Sequence, residues 1–338
     1  MGSKMGVLKA MQNAWYYHDR PGVFGYKVGQ RLRKGLGRAR EFPAYMHIEL
    51  TNACNLRCVM CPRSEMKRPV GYMSMELFRS IIDQVPKNSI PAMCLQNFGE
   101  STMHQNLVEM IKYAKANPNV GEVHLLTNCT LLDEKLSREL LESKIDMIGL
   151  SFEGVDKKTY ESLRVGADFE KVAGNIKRLL QIQREIGAKD TVINIQMTRM
   201  KETEEKIDGF IRRWQPYLNY NDGIRIKFYD TWAGQVKDRS VKSFDDISGY
   251  CKMPENNMVV LWNGDVTICC KDCFGKQIIG NLNRQSIKQI WQGREYELIR
   301  KLMRTGQQGK IELCKNCTDW HKWEREIVIH SATENWKL

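Results

Sequence analysis

Cys54, Cys58 and Cys61 occur in the stretch Thr-Asn-Ala-Cys-Asn-Leu-Arg-Cys-Val-Met-Cys, a C-x3-C-x2-C triplet. Three thiolates at this spacing fit one iron–sulfur cube and leave its fourth iron without a protein ligand. Such clusters normally take four cysteines. Structural metal sites are usually closed, so an open position marks a site that binds something else. The competing reading is a zinc knuckle short of a ligand, or thiols scattered in a core. Placement on a loop directly after the strand-like run Tyr45 to Thr51 argues against it.

A second group carries independent weight. Cys251 is followed by twelve residues, then Gly264, four more residues and Cys269, and Cys314-x2-Cys317 arrives later. Asn263-Gly264-Asp265 joins two short apolar runs, Met258 to Trp262 and Val266 to Cys270, a strong hairpin signal. A glycine there suits a turn that needs positive φ and brings the two cysteines to one side. Cys269 and Cys270 point to opposite faces of a strand, so either one is available as a ligand, but not both. Cys273 has three readings: an alternative ligand, a hydrogen-atom donor, or a buried thiol. Zinc competes for this C-terminal group, because C-x2-C pairs are routine zinc ligands.

The elements that must position these groups alternate. Strand-like runs at Met46 to Thr51, Ala92 to Phe98, Glu122 to Thr127, Asp146 to Phe152, Val192 to Thr198 and Ile224 to Tyr229 are separated by amphipathic helical patterns. The helical patterns lie at Met75 to Val85, Leu107 to Ala116, Leu136 to Ser143, Phe169 to Ile186 and Glu204 to Gln215. Alternation of this kind implies βαβ units around a parallel sheet. Six units are too few for a closed eight-fold barrel and enough for an open one, so the expected fold is α/β, a partial (β/α)6 TIM-like barrel. In this class the active groups sit after the carboxyl ends of the strands, which is where the triplet falls.

The expected boundaries are a basic N-terminal extension at 1–44, the partial barrel at 45–230 and a polar linker at 231–249. A small cluster-binding domain of hairpin plus helix (Ser286 to Thr305) follows at 250–318, and a helical tail at 319–338. The 338 residues carry a net charge of +12, 42% hydrophobic and 27% charged residues. No apolar run approaches a membrane span and no secretory h-region is visible. Eleven cysteines without an export signal read as metal ligands in a reducing, cytoplasmic compartment. The basic stretch Lys27 to Arg40 lacks the interleaved aromatic platforms of a nucleic-acid binder and reads as a solvated arm, with contact to an anionic membrane surface a lesser reading.

C-x3-C-x2-C after the first strand of a six-unit β/α chain resembles the radical S-adenosylmethionine (radical SAM) superfamily. The resemblance implies a [4Fe-4S] cluster on Cys54, Cys58 and Cys61 whose open iron binds S-adenosylmethionine, which is cleaved to a 5′-deoxyadenosyl radical. Asn97-Phe98-Gly99-Glu100 resembles the family's Gly-Gly-Glu-type motif, with Gly99 and Glu100 toward the methionine ammonium. Phe98 replaces the first glycine, and Met60 stands where an aromatic is frequent. Thr127 and Asn128, then Ser151 and Glu153, resemble the strand ends that hold the ribose and amino-acid parts of the cofactor. Arg164 resembles the arginine that meets the methionine carboxylate, and Gln196 is a further cofactor contact. The second group is similar to SPASM and twitch domains. It implies one auxiliary [4Fe-4S] cluster on Cys251, Cys269, Cys314 and Cys317.

The reaction read from these features is oxidation of a small polar metabolite, of sugar, aminocyclitol or nucleoside type, with the auxiliary cluster as electron acceptor. The alternatives are a peptide or protein maturase and a redox-neutral epimerase with a cysteine hydrogen donor. Arg225, Lys227 and Tyr229 share one face of the sixth strand and, with Cys273, are the candidate substrate-facing groups. The basic balance suits an anionic substrate such as a sugar phosphate, and a flavodoxin or ferredoxin would supply the reducing electron. Anaerobic iron and sulfide counting should give about eight irons per chain. About four irons with one zinc would remove the auxiliary cluster.

Overall fold

A computed structural model of the chain describes residues 41–87, 89, 91–241, 250–319 and 327–330. The basic stretch at 27–40 lies outside these residues. Six parallel strands follow one another in chain order: β1 (Tyr45–Ile48), β2 (Ala92–Cys94), β3 (Val123–Thr127), β4 (Met147–Ser151), β5 (Val192–Arg199) and β6 (Gly223–Phe228). The expected helices form between them at Met75–Asp83, Leu107–Ala116, Glu134–Glu142, Phe169–Glu185 and Ile207–Trp214, with a short one at Lys157–Leu163. Side-chain caps start four of these helices, Asp156 accepting from Thr159 N at 2.8 Å. Ser74 accepts from Leu77 N at 3.1 Å, Asp133 from Leu136 N at 2.7 Å, and Asp168 from Lys171 N at 2.7 Å.

Alternation along β5 shows how the sheet divides its two faces. Ile193, Ile195 and Met197 are fully buried in the helix-facing core, which leaves Asn194, Gln196 and Thr198 on the inner face. The sheet does not close, because β1 and β6 each take a different partner. β7 (Asn257–Val260) adds in parallel to β1, and β8 (Asp265–Thr267) and β9 (Ile278–Asn281) continue antiparallel from it. Gly264, at φ +87°, makes the expected turn between β7 and β8.

Three stretches differ from expectation. The helix expected from Ser286 to Thr305 is two helices, Ile287–Trp291 and Arg294–Arg304. They break at Gly293, where a Cβ would lie 2.7 Å from the Gln289 carbonyl. Ile327–His330, expected within a helical tail, is instead a strand, β10, antiparallel to β6. Its Ile-Val-Ile run is β-branched, and the edge of β6 offers unpaired backbone groups to it. The rest of the tail beyond Asp319 lies outside the described residues. In the stretch expected as a polar linker, Thr231 and Ala233 are buried and hydrogen-bonded, while 242–249 lie outside the described residues. Among the described residues no helix is long and apolar enough to cross a membrane.

Phe152, fully buried, packs against Tyr160, Trp214 and Phe169 with ring centroids 4.6, 5.3 and 5.7 Å away. It anchors the backbone between Ser151 and Glu153. Phe152→Ala should cost about 3–5 kcal/mol, measured as a lower midpoint in chemical denaturation.

Candidate functional site

The carboxyl ends of β1 to β6 meet around one cavity of about 200 Å³. Cys54, Cys58 and Cys61 line it from the loop after β1, and Gly99 and Glu100 from the turn after β2. Thr127 and Asn128, Ser151 and Glu153, and Gln196 contribute from β3, β4 and β5, with Arg164 beside them. Lys227 and Tyr229 complete the wall. Residues spread over 176 positions of chain, from Cys54 to Tyr229, are thus brought together.

Gly99 joins the turn to the cysteine loop. Its φ is +83°, and a Cβ there would fall 2.4 Å from the Thr51 carbonyl and 2.7 Å from that of Ala53. The next amide, Glu100 N, donates to Ala53 O at 2.7 Å. The Glu100 carboxylate is buried and accepts from Thr127 Oγ1, Asn128 N and Thr102 Oγ1, each at 2.7 Å. Burial pushes its pKa up, opposed by those donors.

Arg164 forms a bidentate pair with Glu153, through Nε and, at 2.8 Å, through the second terminal nitrogen. Its remaining nitrogen reaches Cys58 Sγ at 3.6 Å. Burial would lower the guanidinium pKa, but the charges of Glu153 and Cys58 outweigh it and hold Arg164 well above its usual value. Gln196 is 2% exposed, and neither its amide nitrogen nor its amide oxygen has a hydrogen-bond partner. Gly149 makes room for it, since a Cβ at that position would lie 2.5 Å from Gln196 Nε2. A buried amide with both atoms unsatisfied at a cavity wall is one that a ligand would complete.

Two candidates fall elsewhere. Arg225, in register with Gln196 and Val328, is not among the residues that line the cavity. Cys273 is fully buried outside the cavity, its carbonyl accepting from Arg68 Nε at 2.8 Å. Burial pushes the Cys273 thiol up, with nearby Cys61 adding to the rise. That is the placement of a buried thiol. The Tyr229 hydroxyl donates to Lys237 O at 3.0 Å, and burial pushes it up to about 12.

The cavity also holds residues that spacing did not single out. Asp230 lines it and pairs with Lys271, and burial raises its carboxyl against the pull of that lysine. Trp232 lines it from a backbone at φ +53°, followed by Ala233 at φ +60°. Non-glycine residues in this region cost about 1–3 kcal/mol each and persist only where their surroundings hold them. Asp319 does so, accepting from Thr231 N, Thr231 Oγ1 and Ala233 N at 2.8, 2.9 and 2.8 Å.

Cys251, Cys269, Cys314 and Cys317 line a second, apolar pocket with Met253, Ile268, Met303 and Leu313. Cys270 is not at its wall. Cys270 instead bonds to His47, beside Cys94 on the inner face. Burial would depress His47, but these two thiols outweigh it and hold the imidazole up at about 10. Of the adjacent pair, Cys269 therefore joins the other three cysteines.

Both thiol sets fit iron–sulfur clusters by donor chemistry. Burial pushes Cys54 up and Cys61 up to about 11, with neighbouring cysteines adding to both. Burial likewise pushes Cys251 up to about 12. A cationic cluster reverses such shifts, because the thiolate is the ligand. Among the described residues no three His, Cys, Asp or Glu side chains converge on a single ion. A polynuclear cluster holds its ligands apart by its own width.

Two family models match the chain. Radical SAM superfamily covers residues 48–213, and an iron–sulfur cluster-binding domain, SPASM, covers 251–318. The chain is 23% identical over 320 residues to the tungsten-containing aldehyde ferredoxin oxidoreductase cofactor-modifying protein of Pyrococcus furiosus, covering 81% of this chain and 86% of that protein. It is 24% identical over 280 residues to the S-adenosyl-L-methionine-dependent 2-deoxy-scyllo-inosamine dehydrogenase of Niallia circulans, covering 81% and 92%. The solved structure of BtrN in complex with AdoMet and 2-DOIA superposes with a TM-score of 0.59 at 19% identity, covering 84% of this chain and 98% of that one.

Gly99→Ala should destabilise the chain by at least about 1–3 kcal/mol from its φ alone. The clash with the cysteine loop should also lower the iron held by the triplet, read by iron analysis after anaerobic reconstitution. With a cysteine triplet on the first loop of an open parallel barrel and a second cysteine set beside it, the chain belongs to the radical SAM superfamily and carries a SPASM-type iron–sulfur domain.

Proposed function

We propose that the protein is a radical SAM oxidoreductase acting on a small polar metabolite of the sugar, aminocyclitol or nucleoside type. In this reading Cys54, Cys58 and Cys61 hold one [4Fe-4S] cluster and Cys251, Cys269, Cys314 and Cys317 hold an auxiliary one. S-adenosylmethionine and the two clusters, when bound, supply a 5′-deoxyadenosyl radical in the cavity and an electron acceptor at the second pocket. The single observation that carries the reading is the cavity itself, which joins the triplet to the polar ends of all six parallel strands.

The residues divide the work. Glu100 would hold the ammonium end of S-adenosylmethionine, its oxygens fixed by Thr102, Thr127 and Asn128. Arg164 stands beside Cys58 with its fork held by Glu153, so its charge is placed before any ligand arrives. Ser151 would offer its hydroxyl to the ribose, beside Thr127 and Asn128, whose donors hold Glu100. Gln196 offers a donor and an acceptor whose burial makes an unmade bond costly. Asp230 is the proton acceptor for a substrate hydroxyl or amine, since its raised carboxyl faces the cavity and Lys271 holds it in place. Lys227, Arg57 and Arg63 at the wall suit an anionic substituent.

The Niallia circulans relative acts, by its name, on an aminocyclitol, which supports a small-molecule substrate over a peptide. Reductant would come from a flavodoxin or ferredoxin. Incubating the reconstituted, dithionite-reduced chain with S-adenosylmethionine should release 5′-deoxyadenosine. A fully iron-loaded sample that leaves S-adenosylmethionine intact would refute the enzyme reading. Asp230→Asn should keep this cleavage while slowing substrate oxidation by about 10²-fold or more.

A further inference from the structure

The turn after β6 is built more tightly than a connection needs. Trp232 Nε1 donates to Met60 O at 2.9 Å, and Met60 stands between Cys58 and Cys61 in the triplet loop. The indole packs on Phe98 with ring centroids 5.2 Å apart. By the sequence resemblance, Phe98 stands where the Gly-Gly-Glu-type motif has its first glycine. Lys271 Nζ stands over the same indole, 5.1 Å from its centroid, a cation–π contact. One half-buried side chain therefore ties the cysteine loop, the turn after β2 and the segment after Cys269 together at the cavity wall.

The backbone that presents this indole is held from the C-terminal region. Trp232 and Ala233 both lie in the left-handed region, which a bulky side chain avoids unless its surroundings impose it. Asp319, two residues after Cys317, supplies the constraint with both carboxylate oxygens. Gly234, at φ +75°, leaves no room for a Cβ, which would fall 2.6 Å from Asn316 O. The turn and the Cys314–Cys317 segment are thus in direct contact.

We propose that Trp232 is the specificity-determining residue of the cavity. With Phe98 it closes the triplet end against anything larger than a small molecule, and Asp319 is the positioning residue that holds it there. The proposal rests on the reading that the triplet carries a cluster. The indole hydrogen-bonds to the triplet loop and packs on the phenyl ring of the turn after β2, so the two rings join these loops. The replacement of a glycine by Phe98 and the presence of a tryptophan at 232 are then two halves of one device.

The test compares a bulky and a small probe of the triplet iron in the full, anaerobically reconstituted chain. Bathophenanthroline disulfonate, a bulky planar dianion, reports wide access, and hydrogen peroxide reports access by a small molecule. The Cys54→Ala/Cys58→Ala/Cys61→Ala chain gives the second pocket's contribution, which is subtracted. Trp232→Ala should raise the ratio of chelator release to peroxide bleaching by at least about fivefold. Phe98→Gly should do the same, and Trp232→Phe, which loses the bond to Met60 O but keeps a ring, should raise it less. Asp319→Ala should match Trp232→Ala while touching no cavity-lining atom. A general loosening of the fold would speed both probes alike and leave the ratio unchanged, and that result overturns the proposal. If Trp232→Ala fails to load iron, Trp232→Phe and Phe98→Gly decide by the same ratio. Wild-type chain without triplet-dependent iron would instead overturn the cluster reading on which the proposal rests.

Discussion

Both cysteine groups depend on the pairing of one strand. β1 lies between β2 and β7 and is parallel to each, with His47 opposite Cys94 on one side and Val259 on the other. The loop leaving β1 carries Cys54, Cys58 and Cys61, and the hairpin continuing from β7 carries Cys269. A parallel pair fixes direction as well as neighbourhood, so the ends of β1 and β7 emerge on the same rim of the sheet. Without that pairing the two thiol sets would belong to separate bodies, and nothing would determine their spacing.

A buried ion pair locks the same junction. Glu49, fully buried just past β1, takes both terminal nitrogens of Arg68 at 3.0 and 2.9 Å. It also accepts from Phe98 N at 3.3 Å and Trp262 N at 3.4 Å. Arg68 reaches the Cys273 carbonyl with its remaining nitrogen. Taking such charges out of water is costly, and a buried pair is weak evidence of net stability. What it does provide here is register. Four segments share one carboxylate, and removing either charge would leave the other buried and unpaired.

Much of this was legible in the residues. Period-two and helical patterns located all six parallel strands, because burial of one face imposes them locally. The strand ends were harder. Ala92 to Phe98 reads as one run, yet the strand ends at Cys94, and Gln96 to Glu100 line the cavity instead. Glu100, Thr127, Asn128, Ser151, Glu153, Arg164 and Gln196 could be marked because they follow strands in a family-like order. Arg225 was marked by alternation alone, and alternation gives the face of a strand but not which residues on that face reach the cavity. Trp232, Lys271 and Asp319 carried no signal, because their partners lie 172, 41 and 88 residues away. A polar stretch with no period looks the same whether it is a tether or a strained turn held by a distant carboxylate.

By itself the sequence determined the alternation of elements, the chemistry of the two thiol sets and the identity of the groups at the strand ends. Those are local properties, written in side-chain type, spacing and burial period. The tertiary structure decided which thiol of the Cys269–Cys270 pair faces the second pocket, that Cys273 is buried away from the cavity, and that Ile327–His330 extends the sheet. It also decided that the turn at Trp232 closes the wall beside the triplet. Each of these depends on contacts between segments far apart in the chain, which no local pattern encodes.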